Sequence, residues 1–221
     1  MPPSDFGRGH FACFYLLEKF SMLYLNKQFE RDDLKMRKNF GPKSFLYPMP
    51  VLIIATYNDD GTPNAMNAAW GCIADADKIA IYLESSHKTV KNILARKAFT
   101  VSMADAEHVV ASDYVGVVSG NNDADKFEKS GFTSFKSEFV DAPLIEQLPM
   151  ALECKMISYD TETELMIGEI VNVCADEKIL NEKGKIDPFK LRPITYDPVN
   201  HDYITLGEKV GNAFEDGLKL K

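Results

Sequence analysis

The chain has 221 residues and a formal net charge of −8, from 25 Lys and Arg against 33 Asp and Glu. An acidic chain without a basic run is a poor partner for nucleic acid or an anionic membrane, because that binding depends on Lys and Arg neutralising phosphate. A hydrophobic content of 45% and four cysteines without a Cys-x-x-Cys pair predict a folded cytoplasmic protein with free thiols and no metal site.

The first 35 residues differ from the rest in composition, with seven aromatic residues and balanced charges. Glu18 and Lys19 interrupt their apolar stretch, which is shorter than the about 20 apolar residues of a membrane span. We therefore expect an N-terminal extension, residues 1–35, of unknown role and a domain over residues 36–221. Two interpretations of the extension stay open: a start codon assigned too early, and an arm specific to the family.

Strands come first in the predicted domain. Residues 50–57 form an apolar run rich in β-branched residues, which predicts a strand, and residues 58–61 (Asn-Asp-Asp-Gly) predict a hairpin turn. The returning strand is predicted over residues 63–74, and a third strand over residues 78–83.

The apolar period then becomes that of a helix. Val90, Ile93, Leu94 and Ala98 recur at helical spacing. The later elements are predicted in this order: a strand over 99–103, helices over 106–114 and 124–129, strands over 150–159, 165–174 and 193–196, and a short helix over 208–214. Strands come early and late without regular strand–helix alternation, so the pattern favours a mainly antiparallel β-barrel with flanking helices over a doubly wound parallel sheet.

The segment that leads into the first predicted helix suits an anion. With Ser86 as the N-cap, the residues His87, Lys88 and Thr89 occupy the first helical turn. Free backbone N–H groups at the positive end of the helix dipole, next to hydroxyls, an ammonium and an imidazole, suit a phosphate. A capped helix with solvated polar residues is the plainer interpretation and stays open.

A second unusual segment spans residues 64–71, with the sequence Asn-Ala-Met-Asn-Ala-Ala-Trp-Gly. Asn, Ala and Gly are poor strand formers, although the segment lies within a predicted strand. Small residues here would let a flat ligand approach the backbone closely. A bulged strand, with Trp70 in the core, is the alternative.

Together these segments resemble the flavin reductase-like family, and within it the flavoredoxin group. The resemblance runs from residue 36 to residue 214 and lies in these segments, in chain order: 48–57, 63–70, 86–93, 118–120 with 125–127, 152–155, 167–170, and 206–208 with 211–214. It implies a split β-barrel that binds FMN, and a homodimer with the flavin near the interface.

The resemblance also implies site residues. The candidate cofactor-binding residues are Thr56, Asn67, Ala68, Ala69, Trp70, Ser86, His87, Lys88, Thr89 and Tyr203. The segment from Ser86 to Thr89 would hold the phosphate, and the others would contact the flavin ring and the ribityl chain. His87 stands where relatives usually have arginine, so the charge at this point depends on pH.

The function implied by the resemblance is that of an FMN-dependent oxidoreductase. It would pass electrons from NAD(P)H or an iron–sulfur carrier through bound FMN to free flavin, a redox protein partner or a small acceptor. A side-chain acid, base or nucleophile is not required, because the cofactor carries the hard step. Two alternatives stay open: a non-catalytic FMN-binding electron carrier or flavin store, and thiol chemistry at Cys72 or Cys154.

Overall fold

The computed structural model describes residues 37–221. The chain divides into two compact units, Met1–Ser44 and Phe45–Lys221. Residues 37–44, the described part of the first unit, are exposed and form no helix or strand. The predicted boundary between residues 35 and 36 lies outside the described residues, as does everything predicted for the N-terminal extension.

The second unit is mainly β, with short helices. Its strands are β1 (Met49–Pro50), β2 (Leu52–Tyr57), β3 (Pro63–Ala68), β4 (Gly71–Asp75), β5 (Lys78–Tyr82), β6 (Ala98–Met103), β7 (Ser134–Lys136), β8 (Pro143–Ile145), β9 (Met150–Asp160), β10 (Leu165–Ala175), β11 (Ile194–Asp197) and β12 (Asp202–Thr205). Its α-helices are α1 (Lys88–Arg96), α2 (Val109–Val117), α3 (Lys126–Lys129) and α4 (Pro188–Leu191), and 3-10 helices span Glu177–Ile179 and Asp216–Leu220. The predicted mainly β fold with flanking helices is confirmed.

One antiparallel sheet of seven strands forms the barrel, in the order β3-β2-β6-β9-β10-β5-β4. β3 and β4 follow each other in the chain and yet lie at opposite edges of this sheet. Ala69 and Trp70 alone link them, so Ala68 and Gly71 are at most about 11 Å apart. The sheet must therefore curl until its edges meet, which gives a barrel that is split between β3 and β4.

Two apolar cores lie on the two faces of the curled sheet. One contains Leu52, Ile54, Ile79, Ile81, Phe99, Val101, Leu152, Cys154 and Met166, together with Val90 and Ile93 of α1. On the other face of β2, Ile53 and Ala55 pack in a cluster with Val115 of α2, Phe127 of α3 and Ile194 of β11. β2 is thus buried on both faces, which explains why its sequence is an unbroken apolar run.

The structure corrects the sequence prediction in two places. The strand predicted over residues 63–74 is two strands, β3 and β4, because the chain leaves one sheet edge and joins the other. The helix predicted over residues 208–214 is absent, and Val210 and Phe214 are almost fully exposed. An isolated short helix with no surface to bury its apolar face is unstable in water. β7, β8, β12 and α4 were not predicted.

Candidate functional site

A cavity of about 470 Å³ lies beside the split in the barrel. Its size falls in the range of about 300–1,000 Å³ that small-molecule sites occupy. The end of β3, the link between β3 and β4, α2 and the β11–β12 hairpin form its walls. These elements contribute Asn67, Ala68, Ala69, Trp70, Asp113, Gly116, Val117, Tyr196, His201 and Tyr203.

A second cavity, of about 150 Å³, adjoins the first. Met66, Asn67, His87, Gly116 and Val117 line both. Beyond these shared residues, the small cavity is bounded by Lys88 and Thr89 of α1, by Lys126 of α3, and by residues 118–120. A ligand in the large cavity can therefore extend one end into the small one.

The start of α1 borders the small cavity and carries no cap. The helix begins at Lys88, with His87 at the N-cap position, and no side chain accepts a hydrogen bond from its first N–H groups. The prediction of Ser86 as the N-cap is wrong, because the extended backbone of His87 delays the helix by one residue. Ser86 is exposed, lines neither cavity and donates its hydroxyl to Glu84 Oε1 at 2.8 Å.

Two side chains at the start of α1 carry polar groups toward the small cavity. Thr89 is buried, and its hydroxyl accepts from Asn64 Nδ2 at 2.7 Å, which leaves the hydroxyl proton free to donate. The buried Nδ1 of His87 has no hydrogen-bond partner among residues 37–221. A buried polar atom without a partner costs about 1–3 kcal/mol, so a ligand that supplies the missing bond is favoured here.

Lys126 is the functional residue that the sequence prediction missed. Its side chain is only 4% exposed, and it makes no ion pair or hydrogen bond with residues 37–221. Burial lowers the pKa of its ammonium from 10.5 to about 8. An isolated buried cation is costly, so this position favours an anion. The signal was present, because Lys126 lies in one of the segments that resemble the flavin reductase-like family, but nothing in the sequence marks it as buried.

Two glycines let the walls of the site approach each other. A Cβ atom at Gly116 would lie 2.9 Å from the Cβ of Asn67, and one at Gly120 would lie 2.7 Å from Asn64 Oδ1. Contacts this short do not occur between packed side chains, so any other residue would push α2 and the following loop away from β3. The glycines therefore fix the width of the site.

The far end of the large cavity is aromatic, and its polar atoms are already paired. Tyr203 donates its hydroxyl to Asp113 Oδ1 at 2.8 Å, and burial together with this bond raises the pKa of Tyr203 to about 12. The Tyr196 hydroxyl lies 2.6 Å from His201 Nδ1, and the rings of Tyr196 and Tyr203 pack with their centroids 6.1 Å apart. Of these residues only Tyr203 was predicted.

The structure brings most of the predicted site residues together. Asn67, Ala68, Ala69, Trp70, His87 and Tyr203 line the large cavity, and Lys88 and Thr89 line the small one. Trp70 is 54% exposed, so its alternative placement in the core is wrong. Thr56 is not part of the site: it is fully buried on β2, and its hydroxyl contacts the Ala98 carbonyl at 3.4 Å.

A family model described as "Flavin reductase like domain" matches residues 44–197. The chain belongs to the flavin reductase-like family. The flavoredoxin of Desulfovibrio vulgaris (Miyazaki F) is 38% identical, with a TM-score of 0.79 over 82% of this chain and 100% of that one. The flavoredoxin from Methanosarcina acetivorans is 27% identical, with a TM-score of 0.75 over 84% of this chain and 99% of that one. The split-barrel fold expected from the resemblance is confirmed.

A relative of uncharacterised function also matches this flavin reductase-like chain. A protein of Aquifex aeolicus (strain VF5) is 27% identical over 156 residues, which is 66% of this chain and 79% of the relative.

The cysteines of this flavin reductase-like chain do not join the site. Cys154 is buried in the barrel core, and burial raises the pKa of its thiol to about 12, which leaves it protonated and inert. Cys72 is exposed on β4, and neither residue lines the two cavities. The thiol hypothesis therefore finds no support in the placement of these residues.

No helix among residues 37–221 has the length and the apolar composition to cross a membrane.

Proposed function

We propose that this protein binds FMN across the two adjoining cavities. Lys126 carries the proposal, since it is a buried cation without a partner at the cavity where the phosphate was expected. Its neighbours point the same way, because the Nδ1 of His87 and the first N–H groups of α1 also lack partners. Anions bind well where helix N–H groups and a cation converge.

The residues present fit the parts of FMN. The small cavity offers its phosphate the Lys126 ammonium, the Thr89 hydroxyl and the start of α1. The large cavity offers the flat flavin ring an aromatic wall at Tyr203 and an open approach at Trp70. The 38% identity to the flavoredoxin of Desulfovibrio vulgaris supports the same cofactor.

The protein's own residues position the cofactor and tune the site. FMN, when bound, supplies the hydride and electron chemistry. The backbone N–H groups of Ala69 and Trp70 make no hydrogen bond to residues 37–221, so they are free to donate to an oxygen or nitrogen of the ring. With its raised pKa, Tyr203 stays protonated at neutral pH and holds the Asp113 carboxylate in place.

For the overall activity we propose an FMN-dependent oxidoreductase. It would take electrons from NAD(P)H or an iron–sulfur carrier and deliver them to free flavin, a redox protein partner or a small acceptor. A non-catalytic electron carrier is the second candidate. Trp70 and Tyr82, each more than half exposed at the cavity, favour it, because they bring aromatic contact from the site to the surface.

Anaerobic spectroscopy separates the two candidates. The protein loaded with FMN is mixed with NADH or NADPH and an excess of free FMN, and absorbance is followed at 340 nm. Consumption of many equivalents of NAD(P)H per protein supports the oxidoreductase. If the bound flavin is reduced by dithionite but NAD(P)H is not consumed, the carrier is the better description. Lys126→Gln, which should not retain FMN, is the control for catalysis by free flavin alone.

We also propose that the protein is a homodimer. Ile73 on β4, Ile157 on β9 and Val173 on β10 expose between 46% and 63% of their surface on the barrel strands. Apolar strand residues of this kind are covered by pairing with a second copy. Light scattering should give twice the chain mass of 24.8 kDa, and a monomer with FMN bound would contradict the proposal.

A further inference from the structure

A third cavity, of about 570 Å³, meets the small cavity from the side opposite the flavin cavity. It lies between the β2–β3 turn, residues 58–62, and the start of α3, residues 123–128. Lys88, Gly120 and Lys126 line both this cleft and the small cavity. The cleft therefore begins where the phosphate of FMN is proposed to end.

The buried ammonium of Lys126 is the observation that makes this cleft a ligand site. Lys126 borders the cleft with a side chain that is 4% exposed and has no partner among residues 37–221. An anion bound to Lys126 is reached from two sides, since a cavity lies on each. Gly120 keeps the junction open, because it places no side chain between Asn64 and Lys88.

The cleft beyond Lys126 is lined mainly by hydrogen-bond acceptors. The carboxylates of Asp59, Asp125 and Glu128 are exposed and make no hydrogen bond to residues 37–221. Acceptors of this kind suit ribose hydroxyls and an exocyclic amine, which donate hydrogen bonds. Pro63 and the ring of Phe127 add apolar surface for a flat base.

We propose that this cleft binds the adenosine phosphate half of a flavin dinucleotide, so that the protein takes FAD as well as FMN. The inference rests on the proposed function, because it requires the flavin half in the large cavity. The phosphate next to the ribityl chain would sit at Lys126 in both cofactors. Only FAD would continue past Gly120 into the cleft.

Titration of the flavin-free protein with FAD and with FMN, followed by flavin fluorescence, tests the inference. We expect the two dissociation constants to agree within about threefold, whereas a closed cleft would exclude FAD. FMN binding without FAD binding would overturn the inference and leave the proposed function standing. Failure to bind either flavin would overturn both.

Ala124→Trp fills the cleft and shows where the nucleotide lies. Ala124 is exposed and lines the cleft but neither other cavity, so FAD should bind at least about tenfold more weakly and FMN within about twofold of wild type. Val110→Trp, at a position that is 84% exposed and lines none of the three cavities, is the matched control and should leave both unchanged. Equal effects of Ala124→Trp on FAD and FMN, or none, would overturn the inference.

Asp125→Ala keeps the test informative if the tryptophan disturbs folding. This substitution removes an acceptor without adding bulk, and it should weaken FAD about threefold without changing FMN. Tighter FAD binding in Asp125→Ala would show that the carboxylate repels the nucleotide, and would overturn the inference.

Discussion

The phosphate end and the ring end of the site are built by opposite means. At the phosphate end, Lys126 and the Nδ1 of His87 are buried without partners. At the ring end, Tyr203 and Tyr196 already pair with Asp113 and His201. Unmet polar groups gain free energy when a ligand arrives, whereas paired groups have little more to gain. Affinity should therefore concentrate at the phosphate end, while the ring end fixes orientation.

Lys126→Gln should break this comparison most severely. The substitution removes the only buried cation that lines the small cavity, and a hydrogen bond to a charged partner in a dry site is strong. FMN affinity should fall by at least about a hundredfold, which is about 3 kcal/mol, whereas riboflavin affinity should hardly change. Calorimetry with both flavins measures this, and an equal loss for both would assign Lys126 a structural role.

Lys126 should also destabilise the flavin-free protein. Burial lowers its folded pKa to about 8, while the unfolded chain keeps the ordinary value of 10.5. Below pH 8 the lysine is charged in both states, and the folded state bears the full cost of about 3 kcal/mol. Between pH 8 and pH 10.5 the folded state releases the proton first, so the cost falls as pH rises.

Lys126→Met should accordingly be more stable than wild type at pH 7, by about 2–3 kcal/mol in urea unfolding. The difference should shrink steadily between pH 8 and pH 10.5. A difference that does not depend on pH over this window would show that Lys126 does not titrate there.

Thr89→Ala should have the next largest effect on binding. It removes the hydroxyl proposed to donate to the phosphate, and such a bond is worth about 1.5–3 kcal/mol, so FMN affinity should fall roughly ten- to a hundredfold. Ser86→Ala is the matched control, since Ser86 is exposed and lines neither cavity, and it should bind FMN as wild type does. Weaker FMN binding in Ser86→Ala would return the phosphate to the segment originally predicted.

Tyr203→Phe should have the smallest effect, and an effect of a different kind. The substitution keeps the aromatic wall and loses one hydrogen bond to Asp113, worth about 1 kcal/mol. FMN and riboflavin should both weaken by about threefold to fivefold, with their ratio unchanged. A loss confined to FMN, seen by fluorescence titration, would contradict the division of the site into two ends.

The sequence predicted the parts of this site that are contiguous in the chain. The start of α1 and the segment from Asn67 to Trp70 each announce themselves through unusual local composition. Lys126 did not, because lysine is almost always exposed and nothing in its neighbours signals burial. Its environment arises only when α3 packs against β3 and α1.

Two errors have the same origin. Thr56 matched the resemblance, but the sheet pairing of β2 turns its side chain toward Ala98 and away from the cavities. The break between β3 and β4 was missed because both halves look like strand, and only closure of the barrel sends them to opposite edges. Sheet order is a tertiary property that the period of one strand does not encode.

The ratio of riboflavin to FMN dissociation constants in the wild-type protein tests the central claim most directly. Both flavins share the ring and the ribityl chain, so their ratio isolates the phosphate. Calorimetry at pH 7 should give FMN at least about a hundredfold tighter than riboflavin, because Lys126, Thr89 and the start of α1 all act on the phosphate. Equal affinities would contradict the account and show that no phosphate is held at Lys126.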